Sequence, residues 1–417
     1  MGQSSSPAAL AWRRFRRNVP AMVGLGWLLL CTLVAIFAYP LMPDGTHNGN
    51  FQVSALSKQP PGTAYLLMLK PNQVQQAPPG WFGFLGSGNP DNFTPTAISA
   101  AESLQVHADT ILYVDLHGKQ QTTLLPAWVI ALEKEGEWPT KWKQMNGKPY
   151  LLNNQPGTPA TVTIRGVGSD GNTSVQLASL QSKFENQLVA KGHFWLGSDA
   201  AGRDVLSRLI LGTRVSLGIG LMAVLVSLLL GVTLGALAGF FRGKVDAVIM
   251  WFVSVVWSIP TLLLAISLAF VMGKGTWQLF LAIGISSWVD VARLVRGQIF
   301  SIREMQFVEA TKALGYRWPR TIFRHILPNV LSPLIIIAAA NFASAILMEA
   351  GLSFLGVGVQ PPTPSWGSMI KEGYAQIMFD SGIWLAIFPG LAIILVVISL
   401  NLVGFGLRDA LDPKQKG

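Results

Sequence analysis

The chain has 417 residues, half of them hydrophobic and only 12% charged, with 31 basic residues against 21 acidic ones and a formal charge of +10. Soluble domains carry about 25% charged residues, so this composition excludes an ordinary soluble protein, and its apolar content excludes disorder over most of its length. The single cysteine, Cys31, excludes a disulfide scaffold and says nothing about redox compartment.

In chain order, residues 1–18 are a tail carrying Arg13, Arg14, Arg16 and Arg17, and 19–39 are an uncharged run. A spanning helix needs about 20 such residues. Arginines ahead of an apolar run also fit a secretory signal. This run exceeds the usual apolar core of about 7–15 residues, however, and Ala38-Tyr39-Pro40 offers no clear cleavage site, so a retained anchor is the better reading. Residues 40–208 turn polar and read as one extracytoplasmic region. Strands are predicted at 63–70, 110–116, 161–167 and 173–177, with a turn at 169–172 and a loop at 76–80. The region reads as a small β-rich domain or a partly irregular one.

Further uncharged runs at 215–241, 247–273, 329–348 and 381–407 predict spans, and the shorter run at 275–289 completes a set of six. The loop after it holds Arg293, Arg296, Arg303, Lys312, Arg317, Arg320 and Arg324, while the opposite short loops hold only Lys274 and Lys371. Basic residues collect on the cytoplasmic side, which places both termini there, including the tail at 408–417.

Chemistry is mostly absent. No G-x-x-x-x-G-K-[ST] phosphate cradle occurs, because the Gly-Lys pairs lack the first glycine. The five histidines never fall at metal spacing, and no G-x-S-x-G appears. Gly218 and Gly220 lie inside a span, where close helix packing accounts for them. The basic loop needs no nucleic acid to explain it. Within that loop, Phe307, Ala310 and Leu314 share one side of a short predicted helix, Gly315 sits where a left-handed cap would end it, and Pro319 suits the first turn of a second helix. Such a helix fits a lipid surface and a partner's groove equally well.

Four ordered stretches carry a resemblance. Glu309-Ala310-Thr311 with Gly315, followed by Ile326-Leu327-Pro328-Asn329, resembles the EAA loop of bacterial ABC importer permeases. Residues 196–208 (LGSDAAGRDVLSR), 351–367 (GLSFLGVGVQPPTPSWG) and 401–413 (NLVGFGLRDALDP) resemble segments of the dipeptide/oligopeptide/nickel subfamily of the "C" kind, DppC/OppC-like. The resemblance implies an all-α polytopic membrane protein with six transmembrane helices, the type I ABC importer permease fold. A large β-rich or mixed extracytoplasmic insert, at about 44–190, lies between helices one and two. It implies a permease domain at 209–407 with its coupling loop at 293–328, in the bacterial cytoplasmic membrane. Phe307, Glu309, Ala310, Thr311, Ala313, Leu314 and Gly315 become the ATPase-coupling helix. The implied partners are a second homologous permease, two cytoplasmic ABC ATPases and a periplasmic or lipid-anchored substrate-binding protein. ATP and Mg belong to the ATPases, and this chain binds no cofactor and is no enzyme.

Three departures stand out. Thr311 replaces an alanine, Phe405 replaces an aspartate, and the outer segment is far longer than is usual in the group. Core packing is the expected role of Trp81, Trp128, Trp138 and Trp142 in that segment. Asp199, Gly202, Arg203, Asp204 and Arg208 read as an outer-face polar elbow. Glu349 reads as a helix-end cap or polar partner rather than a contact to a substrate amine. Asp290 and Arg293 are expected to pair at i, i+3. The resulting reading is a peptide importer's permease. Nickel or another small solute is the alternative substrate, and a membrane-anchored binding or sensor module is the rival from another class.

Overall fold

The computed structural model describes residues 7–72, 92–99, 103–129, 150–153, 158–165, 172–377 and 382–411. Its main elements, in chain order, begin with helices α1 (Pro7–Phe15) and α2 (Val19–Ile36). Strands β1 (Thr63–Pro71), β2 (Phe93–Ile98), β3 (Gln105–His107), β4 (Thr110–Val114), β5 (Gln120–Leu124), β6 (Tyr150–Asn153), β7 (Thr161–Arg165) and β8 (Asn172–Gln176) follow. Helix α3 (Leu177–Lys183) and strand β9 (Val189–Phe194) come next. Helices α4 (Val205–Phe241), α5 (Gly243–Trp257), α6 (Thr261–Met272), α7 (Thr276–Ile302), α8 (Gln306–Ala313), α9 (Leu327–Phe354), α10 (Trp366–Ile377) and α11 (Trp384–Leu411) complete the chain. They form two compact units, Met1–Leu41 with Arg208–Gly417, and Met42–Ser207.

The first unit is helical. Among the described residues, five helices are long and apolar enough to cross a membrane, or six when the bent pair α5–α6 counts as one span. Helix α2 starts where Asn18 Oδ1 accepts the Ala21 N–H at 3.1 Å, with Pro20 in the first turn. The predicted third span is not one straight helix. It breaks by 90° between Trp257 and Thr261, where Pro260 removes a backbone donor and fixes its own φ. The fourth is longer than its uncharged run, because α7 continues through Asp290, Arg293 and Arg296 to Ile302.

Small residues set the distance between α4 and α7. A Cβ at Gly231, Gly235 or Gly239 would lie 2.5–2.9 Å from the nearest α7 atom, and at Gly235 that atom is the Ala292 carbonyl oxygen. Close backbone approach through small residues every fourth position is how spans associate without a hydrophobic drive between them. Gly220 meets Phe342 and Ile346 of α9, while Gly218 meets nothing. The close-packing expectation therefore holds for only one of that pair. Helix α10, which the sequence reading left unassigned, packs through Gly367 against Ala350 and through Gly373 against Ala386.

The second unit carries the sheets, all antiparallel and three-stranded, in the orders β2-β1-β9, β3-β4-β5 and β6-β7-β8. Its core gathers Met68, Ile111, Leu125, Val162, Phe184 and Leu188, each no more than 2% exposed. The predicted strands at 63–70, 110–116, 161–167 and 173–177 correspond to β1, β4, β7 and β8. Trp128 is half-buried against this core and donates to the Leu69 carbonyl at 3.1 Å. Trp81, Trp138, Trp142, the 76–80 loop and most of the 169–172 turn fall outside the described residues.

Candidate functional site

Helix α8 is short and held by its inner edge. Val308 and Thr311, at i, i+3, are buried, and Val308 joins the cluster of Ile302, Ile322 and Ile326. The Thr311 hydroxyl donates to the Val308 carbonyl at 2.7 Å and lies 3.4 Å from Thr321 Oγ1. The side holding Phe307, Ala310 and Leu314 faces away from the chain, with Phe307 39% and Leu314 69% exposed. Glu309 and Ala313 are exposed as well. Gly315, at φ +73°, takes the left-handed turn, and the Tyr316 N–H closes onto the Thr311 carbonyl at 3.0 Å. This is a Schellman stop, which satisfies carbonyls the helix end leaves open. A buried threonine and a left-handed glycine thus fix the pose of an exposed apolar side.

The arginines around α8 are held by aromatic rings, carbonyls and carboxylates. Arg296 forms two bonds of 2.6 Å to Asp246. Arg303 donates to the Phe240 carbonyl at 2.5 Å. Arg242 pairs with Glu304 and lies 3.9 Å from the Phe300 ring centroid, and Arg320 sits 4.3 Å from the Tyr316 centroid. The expected Asp290–Arg293 pair does not form. Arg293 instead stacks on Trp257 at 4.1 Å, and Asp290 is exposed. A planar guanidinium gains by lying over an indole face at the helix break.

In the second unit, the motif from Gly197 to Ser207 is an elbow. Asp199 accepts the Ala201 N–H at 2.8 Å, the Arg203 N–H at 3.0 Å and Arg203 Nε at 2.6 Å. Gly202 has φ +75°, and a Cβ there would fall 1.9 Å from the Val53 carbonyl oxygen. Only glycine fits on both counts. Asp204 caps α4 by accepting the Ser207 N–H at 2.7 Å and its hydroxyl at 2.5 Å. The other Asp204 oxygen is buried without a hydrogen-bond partner among the described residues.

Burial, together with the neighbouring Asp44, raises the Asp204 carboxyl above its ordinary range, and burial pushes Tyr65 up to about 12. The folded state therefore favours protonated Asp204. That contribution is fully present below the unfolded aspartate value and is lost as pH rises through the raised folded value. Asp204→Asn keeps an acceptor for the cap, so its melting temperature should gain on wild type as pH rises across that window. Parallel pH curves for the two proteins would contradict this.

In the helical unit, Arg208 Nη1 and Nη2 grip Glu372 of α10 at 2.5 and 2.9 Å. Glu349 of α9 has no exposed surface. It accepts the Ser216 hydroxyl at 2.9 Å and the Ser353 hydroxyl at 2.8 Å, and Ser365 supplies a third. Ser216 also accepts the Trp366 N–H at 3.3 Å, and Ser353 the Val359 N–H at 3.1 Å. Glu349 is thus a buried knot joining α4, α9 and the 355–366 loop, with no surface to offer a solute. Sequence reasoning missed Ser216, Ser353, Ser365, Glu372 and Asp246; only Ser353, at i+4 from Glu349, left a local signal. Phe405, the departure from the C-terminal segment, is 61% exposed.

Two family models match in chain order. One, the N-terminal transmembrane domain of oligopeptide transport permease C, covers residues 6–61; the other, the inner membrane component of binding-protein-dependent transport systems, covers 231–417. A glutathione transport system permease protein, GsiD, of Pectobacterium atrosepticum is 42% identical over 53% of this chain and 73% of its own length. The dipeptide permease DppC of Alkalihalophilus pseudofirmus is 42% identical over 53% and 72%. The oligopeptide permease OppC of Bacillus subtilis is 38% identical over 54% and 73%. Nearly three quarters of each relative is matched, and the chain belongs to the family of ABC transport permeases of the DppC/OppC kind.

Proposed function

We propose that this chain forms half of the pathway of an ATP-driven importer for peptides, paired with a second homologous permease. One of two cytoplasmic ATPases docks on α8, the other on the second permease, and a substrate-binding protein delivers the solute from the opposite side. The observation carrying the coupling role is the division of α8 into an edge held by Val308 and Thr311 and an exposed side of Phe307, Ala310, Ala313 and Leu314. A helix so anchored transmits a push on its exposed side to α7 and α9 through Ile302, Ile322 and Ile326. The peptide class is supported by relatives named for dipeptides, oligopeptides and glutathione.

In this reading both termini and the α7–α9 loop are cytoplasmic, following the basic residues. Asp199, Gly202, Arg203, Asp204, Arg208 and Glu349 shape the outer end. Residues 209–407 are the permease domain, and about 44–190 are an addition whose partner is not assigned. The test is direct. Phe307→Asp and Leu314→Asp alter only exposed side chains, so the permease should fold and reach the membrane. Each should weaken ATPase retention and uptake about 30-fold, the effect of a ~2 kcal/mol interface residue. Wild-type ATPase recovery and uptake in both variants would refute the coupling role.

A further inference from the structure

The helical unit holds a cavity of about 260 Å³ whose lining shares no residue with α8 or the Glu349 knot except Trp366. Three helices wall it: Trp27, Leu30, Cys31 and Val34 of α2, Leu209, Ile210 and Thr213 of α4, and the stretch of α11 from Phe388 to Val396, with Trp366 behind. Its origin is legible in the side chains. Helices α2 and α11 are drawn together at one end, where a Cβ at Gly24 would lie 2.9 Å from the Ser399 carbonyl oxygen and one at Gly406 2.3 Å from Ala21 Cβ. Beyond Gly24 the facing residues become Trp27, Leu30, Leu391 and Leu395, and the two helices part into a cleft.

The lining decides what fits. It contains no charged residue, and the Thr213 hydroxyl and Trp366 indole both donate to the Leu209 carbonyl, at 3.0 and 3.2 Å. The Trp27 indole N–H is buried without a partner among the described residues, the free thiol of Cys31 is only a weak donor, and a water needs about two to four partners to stay. Apolar cavities of roughly 150 Å³ take small hydrocarbons rather than water, and this one is larger. Leu30, Leu391 and Leu395 at the mouth are 44–49% exposed and continuous with exposed Leu29, Leu33 and Ile394 on membrane-spanning helices. The medium at that mouth is therefore bilayer hydrocarbon. A lining without charge, opening on exposed leucines of membrane-spanning helices, suits a single acyl chain.

We propose that the cleft between α2, α4 and α11 binds one phospholipid acyl chain, drawn from the leaflet at the end of the bundle that holds Ile36 and Trp384. The experiment uses the whole transporter, purified with its partner subunits from nanodiscs of phosphatidylethanolamine and phosphatidylglycerol. Cryo-microscopy should show rod-shaped density between Trp27, Leu209 and Leu391. Native mass spectrometry after mild delipidation should count one retained lipid fewer per chain in Ala392→Phe, which fills the cleft. Leu30→Phe, at the exposed mouth and clear of the inner wall, should lower the count likewise if Ala392→Phe assembles poorly. An unchanged lipid count in the assembled variants, or density from a partner subunit in the cleft, would overturn the proposal.

Discussion

Glu349→Ala should unlatch the 355–366 loop and abolish uptake. Three serine hydroxyls converge on this carboxyl, and two of them in turn hold the backbone at Val359 and Trp366. Each buried polar group left without a partner costs about 1–3 kcal/mol, so orphaning three hydroxyls costs on the order of 3–9 kcal/mol before any cavity is counted. Whole domains are stable by only about 5–15 kcal/mol, and the loss therefore falls near the threshold for assembly. Glu349→Gln keeps one carbonyl oxygen as acceptor and should retain part of both stability and transport. The measurement is thermal unfolding of the purified complex alongside protease cleavage within 355–366. If the alanine variant melted with wild type and its 355–366 loop resisted protease, the knot would be ornamental.

Gly235→Leu should prevent a stable permease from accumulating. The added Cβ alone would meet the Ala292 carbonyl oxygen at 2.5 Å and the Ala292 Cα at 3.0 Å. These are backbone atoms inside a continuous helix and have no rotamer into which to retreat. Overpacking usually costs about 1–3 kcal/mol, and here α4 must also move off α7 along the row shared with Gly231 and Gly239. Gly218→Ala is the matched control, since nothing lies within 4 Å of its Cβ. It should be neutral or gain about 0.5–1 kcal/mol from helix propensity. Membrane levels of the two variants, measured together, decide the matter; equal levels would mean that close approach of these helices is dispensable.

The spans that hydropathy locates well are those where charge ends where the helix ends. Helix α7 shows the opposite case. Its uncharged run stops at Val289, yet the helix continues because Arg293 stacks on Trp257 and Arg296 is held by Asp246. Neither partner is near in sequence, so the run alone could not carry the prediction through. The uncharged run at 247–273 predicts a single span and gives no warning of the 90° break around Pro260.

Among the strands, β1 and β4 read clearly from their alternating or β-branched residues. Strand β2 hides behind Pro95, which its edge position tolerates. Strand β5 begins Gln-Gln-Thr-Thr, and its order in the sheet also puts it at an edge. Helix α8 was legible because its residues are local: a short helix, a glycine stop and a proline start. The Glu349 knot was not, since Ser216 stands 133 positions away.

The first sheet has one more implication, for ancestry. Strands β1 and β9 are adjacent and antiparallel, with Thr63 opposite Phe194 and Ala64 opposite His193. Chain leaving the N-terminal segment that the family model matches therefore returns within about 5 Å of where it left. An excursion whose two ends meet imposes almost no displacement on what precedes or follows it. Whatever lies beyond that pair of strands can lengthen, shrink or be exchanged for other material while the spans on either side keep their places. Within one lineage, a permease can in this way carry an outer module of any length.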